Sequence, residues 1–319
     1  MCITRRKYGR GFQYFDEEGN KITDTKVLRR FRQLVIPPMW AEVKICKWPD
    51  GHIQATGRDP KERKQYIYHS AWEQQQQLKK FNRMKAFGLS LPELRRSCQE
   101  KVATTPEWTR EKVLSLMLLI LDETGIRIGN QEYAARNDTY GLSTLRRKHL
   151  TVGQDQIQFE YQGKSGKRRQ VAIEEQRLAK HIRKAAELPG YEIFRYKNGH
   201  RSWENVDSED VNAFIHQKMG PDFSSKDFRT WVGSRLAVAC FSEARSRQQK
   251  RPRRKLTNVL VRLVAKELGN TPKVCRTHYI HPAILQAVEE DRLPLTDALP
   301  EPQAPHLHSR AEQLLLELI

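Results

Sequence analysis

The stretch Asp122-Glu-Thr-Gly-Ile-Arg-Ile-Gly-Asn130 sets an arginine between two glycines, directly after the apolar run VLSLMLLIL at residues 113–121. A helix apolar on nearly every face is a buried helix, and these nine residues are too few to cross a bilayer. Arg127 therefore stands at a corner of the chain beside the deepest part of the core. A guanidinium in such a place needs an anion. Two readings stand: Glu123 supplies it, or Arg127 waits for a phosphate from outside.

Three further groups have the residue types for phosphate chemistry. Lys164 and Lys167 lie on the tight turn Gly163-Lys-Ser-Gly-Lys167. They are placed to enter a nucleic-acid groove, or they belong to a solvated basic turn. The Gly-Lys-Ser sequence is not a P-loop, because position 158, where that motif needs glycine, is Gln158. Lys226 and Arg229 are three residues apart at the start of an expected helix, so they share a face. Helix N-termini bind phosphate through free N–H groups; the alternative is a pair of ordinary surface bases. Tyr279 closes the stretch Leu268-Gly-Asn-Thr-Pro-Lys-Val-Cys-Arg-Thr-His-Tyr279, near Arg276, His278 and His281. It is a core-edge tyrosine or a nucleophile, since cations favour the phenolate, whose free pKa is about 10. Cys275, His278 and His281 step by three, but no fourth ligand stands out and a metal is not expected. Residues 245–255, RSRQQKRPRRK, carry seven bases and no acid and read as a mobile basic loop.

The totals point to a polyanionic partner. The 319 residues include 57 Lys and Arg against 38 Asp and Glu, a net charge of +19. Nucleic acid comes before membrane, because no long apolar segment or lipidation signal is seen. The N-terminus MCITRRKYGR has no apolar signal region. Five cysteines without a C-x-x-C pair suit reduced thiols in a cytoplasmic protein.

The elements that must position these groups form an α+β arrangement of three parts. Residues 1–88 are expected to be a β-rich domain. Within it, a hairpin turn is read at residues 16–20, a short basic helix at 25–34, and strands at 41–48 and 52–56 around the turn Pro49-Asp-Gly51. A helix over 70–87 ends at Gly88, which marks the boundary. Residues 89–290 form a mainly helical domain. It starts with a helix at 91–102, followed by one capped by Thr104 or Thr105 with Pro106 in its first turn. Strands at 149–152, 156–161 and 168–173 make a small antiparallel sheet, and helices are expected at 174–186, 208–219, 225–243, 256–268 and 282–290. Residues 291–319 are a linker marked by Pro294, Pro300, Pro302 and Pro305, then a last helix opened by the capping box Ser309-x-x-Glu312.

In order and spacing these stretches resemble the type IB DNA topoisomerases, in particular the compact bacterial and poxvirus-like branch. The matching residues are Gly-Ile-Arg127-Ile-Gly-Asn, the Gly163-Lys164 turn after a strand, Lys226-Asp-Phe-Arg229-Thr, and Gly-Asn270-Thr-Pro followed nine residues later by Tyr279. Ile36-Pro-Pro-x-Trp40 and Gly51-His-Ile-Gln-Ala-Thr-Gly-Arg-Asp59 resemble the family's N-terminal β domain. The likeness covers nearly everything before about residue 290. It implies a monomer clamping duplex DNA, a 3′-phosphotyrosyl link through Tyr279, strand swivelling and religation, with neither ATP nor an obligatory metal. It further implies that Arg127 and Arg229 match the charge of the phosphorane. Lys164 would protonate the departing 5′-oxygen with Lys226 assisting, and Asn270, where many relatives carry histidine, would donate an N–H to a non-bridging oxygen.

Two other classes compete. Tyrosine recombinases share the chemical set, but they usually carry histidine at the position of Lys226, and the β domain favours a topoisomerase. A non-enzymatic DNA-binding protein would bind with steep salt dependence without becoming covalently attached.

Overall fold

A computed structural model describes residues 2–153, 156–199, 202–295 and 302–319. The chain forms two compact units, Met1–Lys80 and Phe81–Ile319.

The smaller unit is an antiparallel sheet of β1 (Cys2–Tyr8), β2 (Gly11–Phe15), β3 (Ala41–Cys46), β4 (Ile53–Arg58) and β5 (Lys64–Tyr68), ordered β2-β1-β3-β4-β5. Alternation decides which face is apolar: Val43 and Ile45 are buried, whereas Glu42 and Lys44 between them are exposed. Helix α1 (Thr25–Gln33) lays Phe31 on that face, completing a core with Ile3 and Ala55. The first hairpin differs from expectation. It pairs β1 with β2, while the turn over residues 16–20 closes only the isolated bridge Phe15 to Lys21. Strand β1, CITRRKY, has too few apolar residues to announce itself. Two of the unit's arginines are structural. Arg5 donates to the carbonyls of Pro37 (3.0 Å) and Trp40 (2.8 Å). Arg30 donates to the carbonyl of Cys46 (2.6 Å) and to Gln54 Oε1 (2.8 Å).

The chain enters the larger unit through α2 (Ser70–Asn82), followed by α3 (Met84–Thr104) and α4 (Arg110–Thr124). Helix α4 is the buried helix expected from VLSLMLLIL, with Val113 to Leu118 all buried. It is capped by Thr109, whose hydroxyl accepts from Lys112 N, not by Thr104 or Thr105. Helix α5 (Gln131–Asn137) precedes two short 3-10 turns. The expected small sheet follows as β6 (Leu150–Val152), β7 (Ile157–Gln162) and β8 (Arg168–Ile173), antiparallel in that order. Next come α6 (Gln176–Ala186) and a hairpin of β9 (Arg195–Asn198) with β10 (Ser202–Asn205), which the sequence reading missed. The rest is helical: α7 (Ser208–Met219), α8 (Ser225–Ala239), α9 (Phe241–Gln249), α10 (Leu256–Leu268), α11 (Pro272–His278), α12 (Pro282–Glu289) and α13 (Arg310–Leu318). Residues 245–249 of the expected basic loop belong to α9, leaving a loop only over 250–255. Of the linker prolines, Pro300 lies outside the described residues.

Gly88 does not stop a helix. Helix α3 runs through it, because Gly88 packs against fully buried Trp231 of α8, and a Cβ there would overlap the indole ring. Tertiary packing overrides the glycine's poor propensity.

The C-terminal helix is fastened by a buried ionic network. Arg95 of α3 forks onto Asp122 at the end of α4 (2.6 and 3.1 Å) and onto Glu312 of α13 (2.6 and 3.1 Å). Glu312 also accepts from Trp231 Nε1 at 2.8 Å. Burial alone would lower the Arg95 pKa, but the two carboxylates outweigh it and the net shift is upward. Burial likewise opposes the Glu312 carboxylate, yet His308, Arg95 and Arg235 hold its pKa far below the ordinary range. Leu314 and Leu315 are buried beside it.

Two outcomes follow in equilibrium unfolding by denaturant. Gly88→Ala, which in an exposed helix would stabilise, lowers stability here by about 1–3 kcal/mol through overpacking against Trp231; unchanged or raised stability refutes that packing. Glu312→Ala strands Arg95 with one carboxylate and costs about 3–5 kcal/mol. Because the Glu312 pKa is depressed by folding, its contribution is full above the unfolded value of about 4.3 and fades as pH falls below it. The wild-type advantage over the alanine variant should therefore shrink in acid.

Candidate active site

Arg127 is positioned by the way α4 ends. Gly125 takes the left-handed conformation (φ +59) that terminates many helices, and its N–H closes on Leu121 O at 2.8 Å. The chain then lies against the turn at 141–144. Leu142 N donates to Arg127 O (2.8 Å) and Ser143 N to Ile128 O (2.6 Å). With its backbone fixed, half-buried Arg127 donates from Nη2 to Asn270 Oδ1 at 2.5 Å. Glu123 is exposed and makes no ion pair with Arg127, so the first of the two readings fails.

Arg229 projects from buried α8 and is itself only 4% exposed. Its two terminal nitrogens donate to Gly125 O and Leu268 O, the carbonyl ends of α4 and α10. Helix C-termini carry partial negative charge, so a guanidinium is a natural cap for both. Burial and then repulsion from Arg127 push the Arg229 pKa down to about 10, with Tyr279 acting in the opposite sense. The guanidinium carbon lies 5.1 Å from the centroid of the Tyr279 ring.

Tyr279 is held by its backbone one turn further along α8. Gly233 allows the approach: a Cβ there would stand 2.6 Å from Tyr279 O and 2.9 Å from Tyr279 Cβ. Ser234 Oγ donates to Tyr279 O at 3.2 Å and accepts from His281 N at 2.9 Å. Upstream, α10 ends at Gly269, Asn270 N closes on Ala265 O at 2.9 Å, and Thr271 caps α11 with Pro272 in its first turn. Asn270 turns its oxygen to Arg127. Its Nδ2 is buried with no oxygen acceptor and lies by the Cys275 thiol.

The structure thus brings Arg127, Arg229, Asn270 and Tyr279 together. Lys164 and Lys226 remain on the surface. Lys164 sits on the 3-10 turn (Lys164–Gly166) between β7 and β8, exposed and without a hydrogen bond or ion pair among the described residues. Lys226 is exposed in the first turn of α8, one turn from Arg229. Of the two readings of the start of α8, a phosphate seat or ordinary surface bases, the first loses its free N–H groups. Ser224 N donates to Asp227 Oδ2 (2.9 Å), Ser225 N to Asn212 Oδ1 (3.0 Å), and Asp227 also takes Arg83 (2.8 Å).

Sequence reasoning missed Arg169 of β8. It is 7% exposed and, with Arg127 and Arg229, acts electrostatically on the buried Cys275 thiol. In the sequence it stands in the run Lys167-Arg168-Arg169, with no local signal to mark it out. None of these three arginines meets a carboxylate among the described residues, and Arg229 Nε is a further buried donor without an acceptor. A site with surplus fixed donors and no acidic partner is built to receive an anion.

Residues 69–299 match the family model of the eukaryotic DNA topoisomerase I catalytic core, and residues 11–59 match that of the bacterial DNA topoisomerase IB N-terminal domain. The chain is 32% identical over 285 residues to DNA topoisomerase 1B of Acanthamoeba polyphaga mimivirus, covering 87% of this chain and 84% of that protein. It is 24% identical over 179 residues to DNA topoisomerase 1B of vaccinia virus (strain Copenhagen), covering 56% and 54% respectively. A solved structure of the site-specific recombinase XerH bound to difH substrate matches at 16% identity over 73% of this chain and 58% of that one, with a TM-score of 0.35; a likeness so slight bears on neither fold nor function. From the match to the catalytic core and the near full-length viral relative, the chain belongs to the type IB DNA topoisomerase family.

Proposed function

We propose that this DNA topoisomerase relaxes supercoiled duplex DNA by breaking one strand through a 3′-phosphotyrosyl intermediate, letting the strand swivel, and resealing it. The observation that carries this reading is the phenol of Tyr279 standing against Arg229, within a cluster of buried donors that lacks any acidic partner among the described residues. A scissile phosphate would complete that cluster.

In the forward step the Tyr279 oxygen bonds to phosphorus and the bond to the 5′-oxygen breaks. The phenolic proton goes to water. Arg127 and Arg229 face the non-bridging oxygens, whose charge grows in the transition state. Asn270 offers Nδ2 to the same oxygens, and its own oxygen keeps the Arg127 fork in place. Because these donors are fixed before the substrate arrives, they need little reorganisation at the moment of reaction. Lys164 protonates the departing 5′-oxygen with Lys226 as assistant, and both are exposed. Reversal regenerates the phosphodiester from the 5′-hydroxyl. One phosphate ester is exchanged for another, so no ATP is consumed. The chemistry is assigned to side chains and needs no metal. A single copy clamping the duplex suffices for this scheme.

The decisive test is relaxation of a supercoiled plasmid of arbitrary sequence, which a recombinase confined to its own sites would leave supercoiled. Tyr279→Phe should abolish relaxation while DNA affinity stays within about tenfold, because the lost hydroxyl contributes one neutral hydrogen bond at most; a Phe variant that still relaxes DNA removes Tyr279 as nucleophile. Relaxation by the wild type should proceed in EDTA without ATP, and a strict requirement for either would overturn the scheme.

A further inference from the structure

The reading above leaves Lys164 on an exposed turn with nothing to set its distance from Tyr279. A single side chain spans that gap. Arg169 lies two residues beyond the turn, on β8 opposite Tyr161 of β7. Its stem passes beneath Gly163, the residue before Lys164, where a Cβ would stand 2.8 Å from Arg169 Cγ. Its guanidinium ends beneath Gly269, the residue before Asn270, where a Cβ would overlap it outright. There Nη2 donates to Glu267 O at 2.8 Å and Nη1 to Lys266 O at 3.4 Å, the terminal carbonyls of α10. Tyr161, its cross-strand partner, is also buried.

Arg169 therefore runs from the start of the lysine turn to the start of the segment carrying Asn270 and Tyr279. Its ends rest at two glycines that leave room for nothing larger. Orphan carbonyls at a helix C-terminus attract a cation, so the attachment has an electrostatic cause as well as a steric one.

We propose that Arg169 is a positioning residue for the general acid: it ties the β7–β8 turn to the end of α10 so that Lys164 reaches the 5′-oxygen when Tyr279 attacks. The proposal rests on the assignment of Lys164 as that acid, and the experiment separates the two. Single-turnover strand cleavage is measured on a duplex oligonucleotide with the ordinary 5′-bridging oxygen at the scissile phosphate and on one with 5′-bridging sulfur. A thiolate, with a conjugate-acid pKa near 8.5, leaves without protonation, whereas an alkoxide does not.

Lys164→Ala should be slow with oxygen and restored with sulfur. Arg169→Ala should be slowed by about 10²-fold with oxygen, the scale of a misplacement near 1 Å, and should come within a few-fold of wild type with sulfur. DNA affinity and its salt dependence should be unchanged. Arg169→Lys, which keeps the stem and a charge but loses the fork, should fall between, and it serves where the alanine variant does not fold. Equal slowing of an Arg169 variant on both substrates means a merely structural role and overturns the proposal, as does no slowing on either. A shallower salt slope makes Arg169 a phosphate contact instead and also overturns it. If sulfur fails to restore Lys164→Ala, the acid assignment falls first and takes the proposal with it.

Discussion

Three guanidiniums gathered without a carboxylate are the constraint on which the rest of the catalytic unit depends. Arg127, Arg169 and Arg229 repel one another, and none is neutralised by an acid among the described residues. What holds them is backbone. Arg229 caps the carbonyl ends of α4 and α10, Arg169 takes two more carbonyls from α10, and Arg127 leans on the Asn270 amide. Carbonyl dipoles hold a cation in place without cancelling its charge. The contrast with Arg95 shows the difference. Two carboxylates raise its pKa despite burial, whereas burial and a like charge push that of Arg229 down to about 10. One buried arginine is satisfied by the protein, and the other stays hungry for an anion. At neutral pH both remain charged.

Such a cluster stores repulsion, and the fold offsets it nearby. The Arg95 network joins α3, the end of α4 and α13 through Asp122 and Glu312. Glu312 also reaches Trp231, two residues beyond Arg229 on α8. The same helix then presents Gly233 and Ser234 to the backbone of Tyr279. One helix thus carries a guanidinium of the candidate site, a link to the C-terminal helix and the seat of the tyrosine, all within about a turn and a half. Residues 302–319 belong to the larger compact unit, not to an appendage.

The net charge of +19 has parts with different physical meanings. Arg5 and Arg30 are bound to backbone carbonyls within the smaller unit, and Arg95 is neutralised in the core. Exposed bases such as Lys164, Lys226 and those of the 250–255 loop remain for a polyanion. Composition points to the partner, but it does not separate the charges that hold the protein together from those that face outward.

Much was legible in the chain itself. The apolar run at 113–121 dictated a buried helix, the alternation at 41–46 dictated a half-buried strand, and the antiparallel trio β6 to β8 followed from turn residues and period. Each is a local signal, carried by neighbours in sequence. The residues that converge on the site were recognisable from their order and spacing in a known family, and that resemblance supplied roles that periodicity cannot. What the linear chain left open was every pairing between distant positions. Whether Arg127 would meet Glu123 or something else depended on Asn270, 143 residues away. Gly88 looked like a helix stop because its need to clear Trp231 is invisible until α3 and α8 pack. Nothing local marks Arg169, whose side chain packs against glycines at 163 and 269, and Arg95 meets Glu312 across 217 residues. Secondary structure answers to nearest neighbours and was readable. The electrostatics of the site answers to which helix ends meet in space, and only the folded chain decides that.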